Sequence, residues 1–169
     1  MKRKQLTLFL DEVESIPIES IRKKFNPKQF ELIKSHITLC REDEIGNLEH
    51  IQNKLENIEM FEFELITNGL KRFSDEKGVL IAVKDEEGNF RKLRELILKN
   101  RGSMPREHKA HITLMHPRNS TCDDDKFKEI QKMGLPTNLS IKKISLIEQE
   151  FGKKWTTLQE YNLKKKKES

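Results

Sequence analysis

His36-Ile37-Thr38-Leu39 recurs as His111-Ile112-Thr113-Leu114, and each copy is preceded by a small residue, Ser35 and Ala110. Both tetrapeptides lie in apolar, β-branched surroundings and read as strands, in which residues i and i+2 project from one face and i+1 and i+3 from the other. His and Thr therefore share an open face. Ile37 and Leu39, like Ile112 and Leu114, point into a core, so each strand sets an imidazole beside a hydroxyl on a rigid apolar backing. One such His is equally well explained as a partly buried residue bonded to a neighbour. Among only five His in the chain, two that share their next three residues make a paired site the better reading.

Outward from the two copies, the elements repeat in one order. Residues 5–10 read as a strand, ended by the acidic and Pro-containing stretch 11–17. A short amphipathic helix follows from about Ile18 to Phe25. It stops at Asn26-Pro27, because the residue before a proline is pushed out of the α region. Residues 30–40 deliver the first tetrapeptide. Apolar residues at Ile45, Leu48, Ile51, Leu55 and Ile58 then keep helical spacing, leaving His50 off the stripe. Phe61-Glu62-Phe63-Glu64-Leu65 alternates as a half-buried strand, and Asn68-Gly69 signals a hairpin to a short strand through Phe73.

The second cycle has a strand over 78–83, a helix carrying Phe90, Leu93, Leu96 and Ile97, a polar loop over 99–107 and the second tetrapeptide. A capped helix near 124–133 comes next, then a hairpin of 141–151 and 155–163 around Gly152. The period is 75 residues, too long for a solenoid and suited to two lobes facing one another. The expected fold is α+β, with two pseudo-symmetric lobes of antiparallel sheet flanked by helices around a central cleft. One domain over 1–163, duplicated over roughly 5–73 and 78–163, precedes a basic tail, 164–169.

Composition bounds the function. At 169 residues, 34% hydrophobic and 36% charged, the chain makes one domain with a lean core. No apolar run reaches transmembrane length, and Met1-Lys2-Arg3-Lys4 leads into no signal-peptide apolar region, so a soluble, cytoplasmic protein with no membrane partner is expected; a monomer is the expected state. A net charge of +5 mildly favours anionic partners. Much of that excess lies in 164–167, which reads as a solvated end or a nucleic-acid contact. Cys40 and Cys122 lack metal-type spacing and read as reduced thiols, with a structural disulfide the lesser alternative. Cys40 falls on the alternation of His36 and Thr38, so it either lines the cleft or packs. Trp155, Phe73 and Tyr161 either stack on a base or belong to the core. Lys99, Arg106 and Lys109 either reach a phosphate or are solvated.

Two imidazoles across a gap suit a reaction in which one proton is removed and another delivered near neutral pH. Hydrolysis of a strained cyclic phosphodiester fits: one His deprotonates the attacking water and the other protonates the departing ribose oxygen. Thr38 and Thr113 supply hydroxyl donors where the phosphoryl oxygens gain charge. Neither motif strand carries the carboxylate cluster of a magnesium site or the Cys/His spacing of a zinc site, so neither metal nor cofactor is expected.

Several features together resemble the two-histidine (2H) phosphoesterase superfamily, and within it the bacterial 2′-5′ RNA ligase family and its small phosphoesterase members. These are the paired HxTL, a basic residue after each copy (Arg41, Arg118), the closing hairpin from Leu146-Ile147-Glu148 to Trp155-Thr156, and Ile21-Arg22-Lys23-Lys24-Phe25-Asn26-Pro27 before the first motif. The resemblance implies a two-lobed α+β fold and metal-independent cleavage of 2′,3′-cyclic phosphates or 2′-5′ linkages in RNA ends or nucleotides. It makes His36 the proton donor and His111 the acceptor, places Thr38 and Thr113 on the phosphate, and offers Arg41 and Arg118 to the substrate. His116-Pro117-Arg118-Asn119 stands where the larger members carry an arginine two residues past the motif's Leu. Two other readings stay open: hydrolysis of cyclic or 2′-5′-linked oligonucleotide signals, and a binding module that holds nucleotide or RNA ends without turnover. Intact His and Thr in both copies favour an enzyme. Neither a Walker-type loop nor an adenylation lysine motif supplies energy for ligation.

Overall fold

A computed structural model describes residues 1–100 and 104–167. Residues 101–103 of the expected polar loop and 168–169 of the basic tail lie outside the described residues. The two tetrapeptides form the centre of an eight-stranded antiparallel sheet. β2 (His36–Cys40) meets β5 (His111–Met115) at Ile37 and Ile112. β1 (Lys2–Phe9) flanks β2, and β4 (Val79–Lys84) flanks β5. Beyond them lie β7 (Lys143–Glu150) beside β1 and β3 (Phe63–Arg72) beside β4, with β8 (Thr156–Asn162) and β6 (Asn138–Ile141) at the two edges.

The alternation read from sequence holds on both central strands. Ile37, Leu39, Ile112 and Leu114 are fully buried, while the His and Thr between them are half-buried. Each buried aliphatic side chain contributes about 1.5–3 kcal/mol, so slipping either strand by one residue would forfeit two of them and bury an imidazole instead. Each motif ends in a bulge at the same place. Thr7 pairs with Thr38 but Leu6 with Cys40, and Leu80 pairs with Thr113 but Val79 with Met115. The extra residue turns Cys40 and Met115 into the core. Cys40 therefore packs and does not line a cleft, and burial pushes its thiol up to about 12.

Helices α1 (Glu12–Phe25) and α4 (Asn89–Leu98) cover the apolar side of the centre. Each buries three apolar residues and one arginine at the same spacing: Ile18, Ile21, Arg22 and Phe25, and Phe90, Leu93, Arg94 and Ile97. α2 (Pro27–Leu32), α3 (Leu48–Glu56) and α5 (Asp124–Gln131) complete the helices, with a 3₁₀ turn at Glu42–Glu44.

Four expectations change. α1 begins at Glu12 rather than near Ile18, because Asp11 caps it by accepting from the Val13 and Glu14 N–H groups, and Pro17 is tolerated inside. The helix expected from Ile45 starts at Leu48, where Asn47 accepts from His50 N–H. Asn68-Gly69 makes no hairpin. Gly69, at φ +85°, supplies the extra residue between Thr67 and Leu70, and β3 runs straight through it. Lys164 does not hang free, since its backbone bonds Met60 and Glu62.

The turn into β4 instead follows Phe73, whose N–H donates to Gly78 O. A Cβ on Gly78 would stand 2.6 Å from Pro117 Cγ and also meet the Phe73 ring. Gly78→Ala is expected to lower stability by about 2 kcal/mol, read as a fall in Tm of roughly 4–8 °C.

Candidate active site

Because Ile37 faces Ile112 in an antiparallel pair, His36 faces Thr113 and Thr38 faces His111. A pseudo-dyad passes between the two isoleucines. The imidazoles are then diagonal neighbours, roughly 7–8 Å apart at the backbone, and each stands directly across from the other motif's threonine. All four side chains line one cleft of about 510 Å³.

The dyad extends to the imidazole hydrogen bonds. His36 Nδ1 lies 2.7 Å from Lys34 O and His111 Nδ1 lies 2.9 Å from Lys109 O, in each case the carbonyl two residues before. A carbonyl only accepts, so Nδ1 is the protonated nitrogen on both rings and Nε2 is the one left for chemistry. An aromatic edge steadies each ring: Phe9 meets His36 at 6.1 Å and Phe73 meets His111 at 5.7 Å. Burial pulls the His36 pKa down to about 4; its bond to Lys34 opposes this, and the charges of Arg22 and His111 add to it.

The two buried arginines hold the loops that deliver these strands. Arg22 donates to Glu19 and to Ile33 O, and Glu19 in turn accepts from Ser35 N–H, next to His36. Arg94 donates to Leu39 O, Arg106 O and both oxygens of Glu44. Burial would raise the Glu44 carboxyl, yet hydrogen bonds from Arg94 and the Arg41 N–H, with the charges of Arg94 and Arg106, hold it at about 2. Across the seam, His108 Nε2 donates to Thr38 O at 3.0 Å, and burial together with Arg94 lowers this ring to about 4. Asn26 performs a similar task on the far side: its amide donates to Asn119 and accepts from His116 N–H, fixing the loop after the second motif.

Arg41 lines the cleft, as do Phe73 and Trp155. Arg118 is exposed on the rim and is not a lining residue, although its charge lowers the pKa of Arg3 and His116. Tyr161 packs in the core. Arg106 pairs with Asp43 and Glu44 and Lys109 lines the cavity beyond His111, so neither is a lining residue of the cleft. The sequence reading overlooked Arg3 and Gln5, cleft residues on the same alternation of β1 as Thr7, which pairs with Thr38. It also passed over His108 and the two buried arginines. The matching spacing of Arg22 and Arg94 within Ile-x-x-Ile-Arg-x-x-Phe and Phe-x-x-Leu-Arg-x-x-Ile was the available signal. Among the described residues, no three His, Cys, Asp or Glu gather as a metal site, and no helix is long and apolar enough to cross a membrane.

Solved structures share this architecture at low identity. LigT of E. coli complexed with phosphate has a TM-score of 0.68 at 18% identity, covering 96% of this chain and 97% of that one. LigT complexed with 3′-AMP has 0.67 at 18%, covering 96% and 98%. A crystal structure described as a phosphoesterase has 0.65 at 12%, covering 96% and 98%. A search of curated protein sequences finds no match. The family model for the 2′-5′ RNA ligase superfamily matches residues 9–153, a span that runs from the end of β1 to the β7–β8 turn and takes in both tetrapeptides. With both motifs inside that match and the fold shared end to end, the chain belongs to the 2′-5′ RNA ligase superfamily, a group of two-histidine phosphoesterases.

Proposed function

We propose that the protein is a metal-independent phosphodiesterase that hydrolyses 2′,3′-cyclic phosphate ends or 2′-5′ diesters of RNA or nucleotides. His111 Nε2 takes a proton from water as the water oxygen bonds to phosphorus. His36 Nε2 gives a proton to the ribose oxygen as its bond to phosphorus breaks. Thr38 and Thr113 donate to the non-bridging oxygens, which gain charge in the transition state. Arg41 and Arg3 offset the diester's charge from the cleft wall, and Arg118 adds a longer-range contribution from the rim.

The observation that carries this reading is the crosswise square of two imidazoles and two hydroxyls, with both Nδ1 atoms already committed to carbonyls. LigT, of the same fold, has been crystallised with phosphate and with 3′-AMP, ligands bearing the group this cleft is proposed to hold. The test is turnover of adenosine 2′,3′-cyclic phosphate and of 2′-5′-linked ApA in excess EDTA. Product is expected from at least one substrate, at a rate the chelator leaves unchanged. Binding of both with no product over long incubations would overturn the proposal in favour of a non-catalytic module.

A further inference from the structure

The cleft lies between two larger cavities. On the β5 side a cavity of about 810 Å³ shares His111 with it and is walled by Leu80, Ala82, Phe90, Met104 and Pro105. On the β1 side one of about 750 Å³ shares Ile33 and Trp155 with it and is walled by Phe9, Phe30 and Ile147. Phe9 is the ring that meets His36 edge-on. Both flanks fall within the roughly 300–1,000 Å³ of small-molecule sites.

Resting on the phosphodiesterase reading, we propose that the flanks receive the two nucleosides of one diester, with the base on the β1 side stacked on Trp155. The favoured substrate is then a 2′-5′-linked dinucleoside or longer RNA end rather than a lone cyclic mononucleotide. A diester has an organic group on each side of phosphorus, and the pseudo-dyad places a cavity on each side of the His36–His111 pair. A cyclic mononucleotide fills one flank only.

Trp155 is built for this task. Its backbone N–H donates to Leu32 O, and the Arg3 guanidinium lies 5.0 Å from its ring centroid. Arg3 is itself held by the buried Gln149, at 2.8 and 2.6 Å, and Gln149 donates to Lys153 O. Little conformational freedom remains to be lost on stacking. Arg3 lines the cleft but not the outer cavity, whereas Trp155 lines both. The cation therefore stands on the phosphate's side and the indole reaches outward. Charge in the outer cavity agrees: Glu12, Glu19, Glu31 and Glu160 oppose Lys34, Lys143 and Lys154, a balance that suits a neutral nucleoside and not a further anion. The buried hydroxyl of Ser35, which borders the same cavity, has no protein partner.

Trp155 is the chain's one tryptophan, so intrinsic fluorescence reports it alone. Titrating the His111→Ala protein with 2′-5′-linked ApA is expected to quench that emission saturably, and inorganic phosphate is expected to leave it unchanged. In the active protein, Trp155→Ala is expected to lower the ratio of kcat/KM for ApA to that for adenosine 2′,3′-cyclic phosphate roughly 10- to 100-fold, with Trp155→Phe restoring it. No quenching by ApA, quenching by phosphate to the same extent, or an unchanged ratio would each overturn the assignment. If the wild-type protein turns over neither substrate, the phosphodiesterase reading has failed, and the fluorescence titration still decides the stacking.

Discussion

Replacing His36 or His111 with alanine is expected to lower kcat by roughly 10²–10⁴-fold, the loss typical of removing a positioned acid or base. The double variant is expected to lose little beyond the worse single one, because the two rings act in one step. Loss of neither ring's contribution, with turnover intact in both single variants, would remove the acid–base pair from the mechanism. The pH profile assigns the roles. In the free protein burial keeps His36 neutral above about pH 4. If it is the proton donor, a bound diester must lift its pKa; an anion about 4 Å away at an effective dielectric near 20 supplies about 4 kcal/mol, enough to raise it to roughly 7. The alkaline limb of kcat/KM, which reports the free protein, is then expected near pH 4, and that of kcat near 7. An activity that instead rises with pH through about 4 makes His36 the acceptor and reverses the assignment.

Removing the motif hydroxyls is the second large effect. Thr38→Val or Thr113→Val keeps the β-branched shape that suits a strand and deletes only the donor to the phosphoryl oxygens. Each is expected to cost roughly 10²–10³-fold in kcat, as for one donor of an oxyanion site, while Thr→Ser at either position restores most of it. KM for the diester is expected to change far less than kcat, because the charge these hydroxyls meet develops in the transition state. Equal losses in the Val and Ser variants would mark the threonines as packing residues. The pairing across β2 and β5 adds one refinement: Thr113 faces His36, and Thr38 faces His111.

The period-two pattern of His-Ile-Thr-Leu was enough to read both central strands and their open face, because burial of Ile and Leu on the opposite side leaves only one register. The same local logic found α4 from its apolar spacing and α5 from its acidic cap. It failed at Asn68-Gly69, since the φ > 0 that such a pair favours serves a bulge as well as a hairpin, and only the neighbouring strand decides between them. It failed at Pro17 because Asp11 starts the helix strongly enough to carry it past a missing hydrogen bond. Arg3, Gln149 and Trp155 were not legible as a group. They come from both ends of the chain and meet only through the β1–β7 register that sets Arg3 opposite Gln149. His108 was hidden for a similar reason, its partner being a backbone carbonyl 70 residues earlier.

Each half of the sheet takes in strand from the other half of the chain. β3, from the first repeat, lies beside β4, and β7, from the second, lies beside β1 with β8 beyond it. The segments 5–73 and 78–163 are consequently not halves of the sheet. Neither segment is a self-sufficient folding unit, since cutting the chain between them strips each central strand pair of its outer neighbour and bares a raw edge. The two motifs are laced into one body, because the connections from β2 to β3 and from β6 to β7 both cross the seam where Ile37 meets Ile112.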